Sequence, residues 1–273
     1  MILSFITWDV TPEIFTLPAD WFLVGGLSVR WYGLLFAMSF VFGYIIMKKI
    51  FDNENISEKV LDQLSTYMLI FTIVGARLGH CLFYEPGYYL SNPIEILKVW
   101  EGGLASHGAA VGILLGLFFF AKANKKPYLW VLDRIVIVVA LAGFFIRTGN
   151  LMNSEIFGDV TTLPWGFIFT RYYDPALAID PRHPTQIYEA LSYLLIFIFL
   201  YRTYWKSKGK TTDGEIFGYF LSLLFSVRFL IEFIKVPQVG FEENMILNMG
   251  QLLSIPFVLA GLYLLYRARK SKA

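Results

Sequence analysis

The chain has 273 residues and a formal net charge of +2; 56% of its residues are hydrophobic and only 16% are charged. A soluble domain carries about a quarter charged residues, so an ordinary water-soluble globule is excluded, and the basic excess is too small to suggest a nucleic-acid-binding surface. The single Cys81 excludes an internal disulfide and a zinc cluster built from cysteines.

The chain opens with MILSFITWDVTPEIF, which lacks a basic n-region and a small-residue cleavage site, so no removable signal peptide is expected. Apolar stretches long enough to cross a bilayer core follow at 30–48, 63–84, 104–122, 129–148, 185–204, 215–235 and 249–267. They are continuous rather than alternating, which predicts helices and not a barrel. The expected fold is an all-α integral membrane protein of about seven transmembrane helices, with residues 1–273 forming one polytopic membrane domain. The segment 150–184 is longer than any other connection and rich in prolines and aromatics, which predicts a small ordered cap between the fourth and fifth spans.

Basic residues fix the expected orientation. Lys48, Lys49 and Lys59 follow the first span, Lys122, Lys125 and Lys126 the third, Arg202, Lys206, Lys208 and Lys210 the fifth, and Arg267, Arg269, Lys270 and Lys272 the last. The alternate segments hold only Arg30, Lys98, Arg171, Arg182 and Lys235. The positive-inside rule then places the N-terminus outside, the C-terminus in the cytoplasm and the cap on the outer face. Gly108, Gly112 and Gly116 stand four apart on the third span, a smooth stripe suited to close helix packing.

With that orientation the polar residues of the spans share one depth near the outer face. They are Tyr32, then Arg77, His80 and Tyr84, then His107, Arg147, Asn150, His183, Gln186, Glu189, Arg228, Glu232, Lys235 and Gln251. Asp133 and Arg134 lie near the opposite boundary and are expected to snorkel there. A charged side chain inside a bilayer is expensive, and its default reading is functional. Three arginines at one depth suit a phosphate, whose oxygens the guanidinium fork binds in pairs; the nearest phosphates are lipid headgroups of the outer leaflet. The alternative reading makes Arg77, Arg147 and Arg228 ion-pair partners of Glu155, Glu189 and Glu232, with Glu232 one turn from Arg228. His107 lies among small residues, and an unperturbed imidazole suits a general base; equally, a histidine opening a helix can serve a backbone carbonyl. For His80, His183 and Cys81 a packing role is expected.

The segment IRTGNLMNSEIFG, residues 146–158, resembles the signature of the prolipoprotein diacylglyceryl transferases: Arg147, Gly149, Asn150, Asn153, Glu155 and Gly158 all match. Further blocks agree in order: VRWYGLLFA around Tyr32, GARLGHCLFY around Arg77, GGLASHG around His107, LPWG at 163–166, RHPTQIYEA from Arg182, RFLIEF from Arg228 and MGQLLSIP from Met249. The resemblance implies transfer of the diacylglyceryl group of phosphatidylglycerol to the lipobox cysteine thiol of a bacterial preprolipoprotein. A thioether forms and glycerol phosphate leaves, the first step of lipoprotein maturation. It implies a multi-pass protein of the bacterial cytoplasmic (inner) membrane, with phosphatidylglycerol and lipobox signal peptides as partners and no cofactor or metal.

On that resemblance His107, Arg147 and Arg228 are the catalytic candidates: His107 as base, the two arginines for the phosphate. Tyr32, Arg77, Asn150, Asn153, Glu155, Gly158, Gln186, Glu189, Glu232 and Lys235 are the lipid- and substrate-binding candidates. The chain departs from the family pattern in several places. Lys235 stands where a second arginine is usual, and Leu224 and Phe225 replace a Tyr-Gly pair, so a family tyrosine is missing or supplied from elsewhere, Tyr219 being one source. Ile146 and Leu151 replace a small residue and a phenylalanine, and the histidine block reads His-Gly-Ala. The rival from another class is a polytopic lipid transporter, which calls for internal repeats and polar groups near the midplane. An intramembrane protease calls for a separated Ser and His that meet, whereas Ser106 and His107 are adjacent and point different ways on a helix, or for two intramembrane aspartates, and no such pair appears.

Overall fold

A computed structural model describes residues 5–18, 26, 28–99, 102–236 and 245–271. Among them are seven long helices: α1 (Trp31–Asn53), α2 (Glu58–Phe83), α4 (Ser106–Ala123), α5 (Tyr128–Met152), α6 (Thr185–Ser207), α7 (Glu215–Ile231) and α8 (Met249–Lys270), with the short α3 (Pro86–Ser91) after α2. Six are long and apolar enough to cross a membrane. The exception is α6, which opens with Thr185, Gln186 and Glu189 and closes with Arg202 and Lys206. It buries its polar first turn, so the helix holds its place by hydrogen bonds as much as by hydropathy. On α2 and α8 large side chains such as Ile70, Val74, Leu253 and Tyr266 stand exposed, the outward apolar surface that a lipid solvent requires.

The chain forms two compact units, Met1–Ile46 with Ile135–Ala273, and Met47–Arg134. In the second unit α2 packs on α4 through glycine. A Cβ on Gly112 would lie 3.0 Å from Gly75 Cα, one on Gly79 would lie 2.6 Å from Gly108 Cα, and one on Gly116 would lie 2.8 Å from Phe71 Cβ. The stripe Gly108–Gly112–Gly116 therefore meets a complementary Gly75–Gly79 pair on α2, and the backbones touch as in other small-residue membrane contacts.

Asp133 and Arg134 do not snorkel. Both are buried; Arg134 Nε pairs with Glu54 Oε1 at 3.0 Å and its guanidinium lies 4.3 Å from the Trp130 ring centroid. A carboxylate and an aromatic face replace water for this arginine.

In the first unit α7 packs on α8. Gly218 meets the Gly261 carbonyl, and Phe225 stacks on Phe257 with centroids 4.4 Å apart. Asn248 and Gln251 close a capping box at the start of α8, which satisfies two otherwise orphaned N–H groups. The 150–184 segment is ordered by a small core of Leu151, Phe157, Phe167 and Phe169, joined by Trp8, Tyr172, Leu177, Ile187 and Val236. Strand β1 (Ile6–Trp8) runs parallel to β4 (Phe167–Phe169), and Trp8 Nε1 donates to the Leu151 carbonyl at 3.0 Å. The hairpin of β2 (Glu13–Thr16) and β3 (Ser28–Arg30) leads directly into α1.

Candidate active site

The polar residues of the first unit meet where α5 ends and α6 begins. Arg147 and Asn150 are three apart on the last turns of α5, so they share a face: Arg147 Nη1 donates to Asn150 Oδ1 at 3.1 Å. The chain then turns tightly. Ser154 and Ile156 have φ near +54° and +59°, and left-handed backbone is unusual for a β-branched residue. Two side chains from α6 hold that turn: Thr185 Oγ1 donates to the Ile156 carbonyl at 3.0 Å and Gln186 Nε2 to the Glu155 carbonyl at 2.7 Å. The turn carries Glu155 back beneath the helix end, where Oε1 accepts from Asn150 Nδ2 at 2.8 Å and Asn153 Nδ2 at 3.1 Å. Tyr32 completes this side; its ring lies against Gly149, and Glu155 and Arg147 are its electrostatic neighbours.

Gly158 leaves no room for a side chain. A Cβ there would collide with the Ile234 carbonyl and lie 2.8 Å from His183 Cβ and Thr185 Cγ2. Its N–H donates to the His183 carbonyl at 2.8 Å, and it bridges to Lys235. The glycine thus lets the ends of α5, α6 and α7 close on one another.

The second half of the site is an ion network. Glu189, fully buried on α6, lies 3.0 Å from Arg147 Nε and 3.2 Å from Lys235 Nζ. Lys235 is 3.7 Å from Glu232 Oε2. It lies just beyond the span Glu215–Ile234; burial pulls it below the ordinary lysine range, and Glu189 pulls it back. The Glu232 carboxylate sits against Gly250 in the first turn of α8, where a Cβ would lie 2.8 Å from either oxygen; the helix N-terminus favours negative charge there. Glu232 therefore pairs with Lys235 and not with Arg228, the partner one turn away that helical spacing suggests. Arg228 is half-buried, and among the described residues no carboxylate stands within ion-pair distance of it. Asn153 Oδ1, Gln186 Oε1, Glu232 Oε2 and Gln251 Nε2 are buried with no hydrogen-bond partner among the described residues. Buried polar atoms are rarely left so; these four lie on residues at the ends of α5 and α7 and the starts of α6 and α8.

The family model for prolipoprotein diacylglyceryl transferase matches residues 19–267. The chain belongs to that family. It is 47% identical over 269 residues to the phosphatidylglycerol–prolipoprotein diacylglyceryl transferase of Tolumonas auensis, covering 97% of this chain and 98% of the relative. Proteins of the same name from Chloroherpeton thalassium, at 45% over 268 residues, and Porphyromonas gingivalis, at 47% over 279 residues, each pair 98% of this chain with 96% of their own. It is accordingly a multi-pass bacterial membrane protein.

The structure brings Tyr32, Arg147, Asn150, Asn153, Glu155, Gly158, Gln186, Glu189, Glu232 and Lys235 into one cluster. Arg77 and His107 belong to the Met47–Arg134 unit. Arg77 is buried and its donors are occupied: Nε by the Ile96 carbonyl at 3.0 Å, Nη1 by Gly102 at 2.6 Å and Nη2 by Glu95 at 2.5 Å, with the guanidinium over the Tyr89 ring. It ties the segment before α4 to α2. His107 is the second residue of α4 and is exposed. Tyr219 packs edge-on against Phe199, more than two turns along α7 from Arg228. The tyrosine that does reach the network is Tyr193, buried on α6 with its hydroxyl 3.5 Å from Glu189 Oε1. In the sequence it reads as one more aromatic in an apolar run; its place one turn after Glu189 was the available signal.

Proposed function

We infer that this protein transfers the diacylglyceryl group of phosphatidylglycerol to the cysteine thiol of prolipoproteins, the first step of lipoprotein maturation. The observation that carries the site assignment is the neutralised Arg147–Glu189–Lys235–Glu232 network beside Arg228, which no carboxylate of the described residues neutralises. A phosphodiester supplies the missing negative charge, and a guanidinium binds it with two parallel hydrogen bonds. The unpartnered Asn153 Oδ1 and Gln186 Oε1 suit the hydroxyls of a glycerol headgroup, which donate to amide oxygens.

In the reaction the cysteine sulfur attacks the glyceryl carbon that carries the phosphate. A carbon–sulfur bond forms, the carbon–oxygen bond to phosphate breaks, and the electron pair departs on oxygen as glycerol phosphate. The thiol proton goes to a base, for which His107 is the proposed group; its imidazole is exposed at the start of α4. Arg147 and Arg228 would stabilise the charge that grows on the departing phosphate. A thiol is a poor nucleophile until deprotonated, so a nearby base and cationic surroundings both accelerate the step. The basic-residue distribution supports a site toward the outer leaflet, an outside N-terminus, a cap at 150–184 over one polytopic domain, and a signal peptide that presents its lipobox cysteine from that side.

Purified protein in phosphatidylglycerol vesicles, given a lipobox peptide and the same peptide with its cysteine changed to serine, tests the reading. Transfer predicts a mass gain of one diacylglyceryl group on the cysteine peptide alone. Lipid movement between leaflets with neither peptide modified would favour a transporter.

A further inference from the structure

The face shared by α5 and α6 has a second level beneath the Arg147–Glu189 ion pair. Gly143 lies one turn before Arg147 on α5, and Tyr193 one turn after Glu189 on α6. A Cβ on Gly143 would stand 2.8 Å from Tyr193 Cδ2, so the ring fills the space that glycine leaves on α5. From that slot the hydroxyl points back along the face. It lies 3.5 Å from Glu189 Oε1, and Arg147 and Arg228 are both within its electrostatic reach.

A phenylalanine would fill this slot equally well, and a buried hydroxyl is unfavourable unless its hydrogen bonds are made. The hydroxyl is therefore there for its polar contacts. It can donate to Glu189 while accepting from Arg147. The ion pair it bridges is short, yet Glu189 Oε2 accepts no aligned hydrogen bond from the guanidinium; the fork of Arg147 is not locked on the carboxylate.

We infer that Tyr193 is a positioning residue for the anionic headgroup. Standing between Glu189 and Arg147, the hydroxyl keeps the carboxylate at the Nε edge of the guanidinium, 3.0 Å from Nε, so that a lipid phosphate takes the rest of the fork without first displacing a carboxylate. This rests on reading the cluster as the phosphatidylglycerol site. Without the hydroxyl, Glu189 closes on Arg147 and competes with the lipid.

The test is direct binding of phosphatidylglycerol, at defined mole fractions in detergent micelles, by the wild type, Tyr193→Phe, Gly143→Ala and the double variant, with thermal unfolding measured for each. Tyr193→Phe keeps the ring in its slot; it is expected to unfold with the wild type and to bind phosphatidylglycerol about tenfold more weakly, the scale of one hydrogen bond to a charged group. In the transfer assay the loss should fall on KM and leave kcat nearly unchanged. Gly143→Ala moves the ring and should weaken binding through the same contact, so the double variant should be no worse than the poorer single one, as for coupled neighbours. Binding by Tyr193→Phe within about twofold of wild type, well below that hydrogen-bond scale, would overturn the inference. Weakened binding in a protein that transfers nothing would sustain it and sink the transferase reading.

Discussion

Glu189 Oε2 stands 3.0 Å from Arg147 Nε, and the carboxylate is fully buried between that arginine and Lys235. One anion thus contacts two cations, one on α5 and one just beyond α7. Glu189→Gln keeps the shape and removes the charge. Leaving a buried charge without its partner costs about 3–5 kcal/mol, so the variant should unfold at a distinctly lower temperature in detergent. An unchanged unfolding temperature would show that Arg147 does not depend on the Glu189 charge.

Arg147 and Arg228 should separate in the same measurement. Arg147→Ala strips Glu189 of one partner and should lower both stability and transfer. Arg228→Ala breaks no ion pair among the described residues and should keep wild-type stability while losing transfer by more than about tenfold, the loss of roughly 2–5 kcal/mol expected when a charged contact to bound substrate is removed. Arg228→Lys should be impaired too, since lysine lacks the planar fork. Wild-type turnover by Arg228→Ala would remove it from the site.

His107→Ala should slow transfer more at about pH 6.5 than at about pH 9, because the thiol, with a reference pKa of about 8.5, ionises unaided as pH rises. If His107 only orients substrate, the defect should be the same across that range. A pH–rate profile of variant and wild type, with folding checked at each pH, decides between the two.

Gly158→Ala tests the closure of three helix ends. Its Cβ has no room between the Ile234 carbonyl, His183 and Thr185. Overpacking of this kind costs about 1–3 kcal/mol, and here it should also push Lys235 from Glu189 and reduce phosphatidylglycerol binding. A fully active, fully stable variant would contradict the packing described.

What the sequence made legible was local. The spans follow from apolar runs, the glycine stripe of α4 from its four-residue spacing, and the Arg147–Asn150–Glu155 group from one helix end and the turn after it. What it did not reveal depends on partners far away in the chain. Arg134 reads as a snorkelling residue until Glu54 is found beside it. Arg228 reads as the partner of Glu232 by helical spacing, yet Lys235 is nearer in space. Trp8 and the parallel pairing of β1 with β4 join residues more than 140 positions apart in the chain, and no periodicity announces a three-residue strand. Tyr193 is hidden among Leu and Phe because only the bare face of Gly143 shows where its ring goes.

The fate of phosphorus tests the central claim most directly. With phosphatidylglycerol carrying labelled phosphate and a lipobox peptide as acceptor, the label should leave entirely as water-soluble glycerol phosphate. The peptide should gain a diacylglyceryl group with no phosphorus, through a bond that survives thioester cleavage by hydroxylamine. Arg228→Ala should release none. Label retained on the peptide, or lipid joined through a hydroxylamine-labile bond, would contradict attack at the glyceryl carbon and the role given to the arginines.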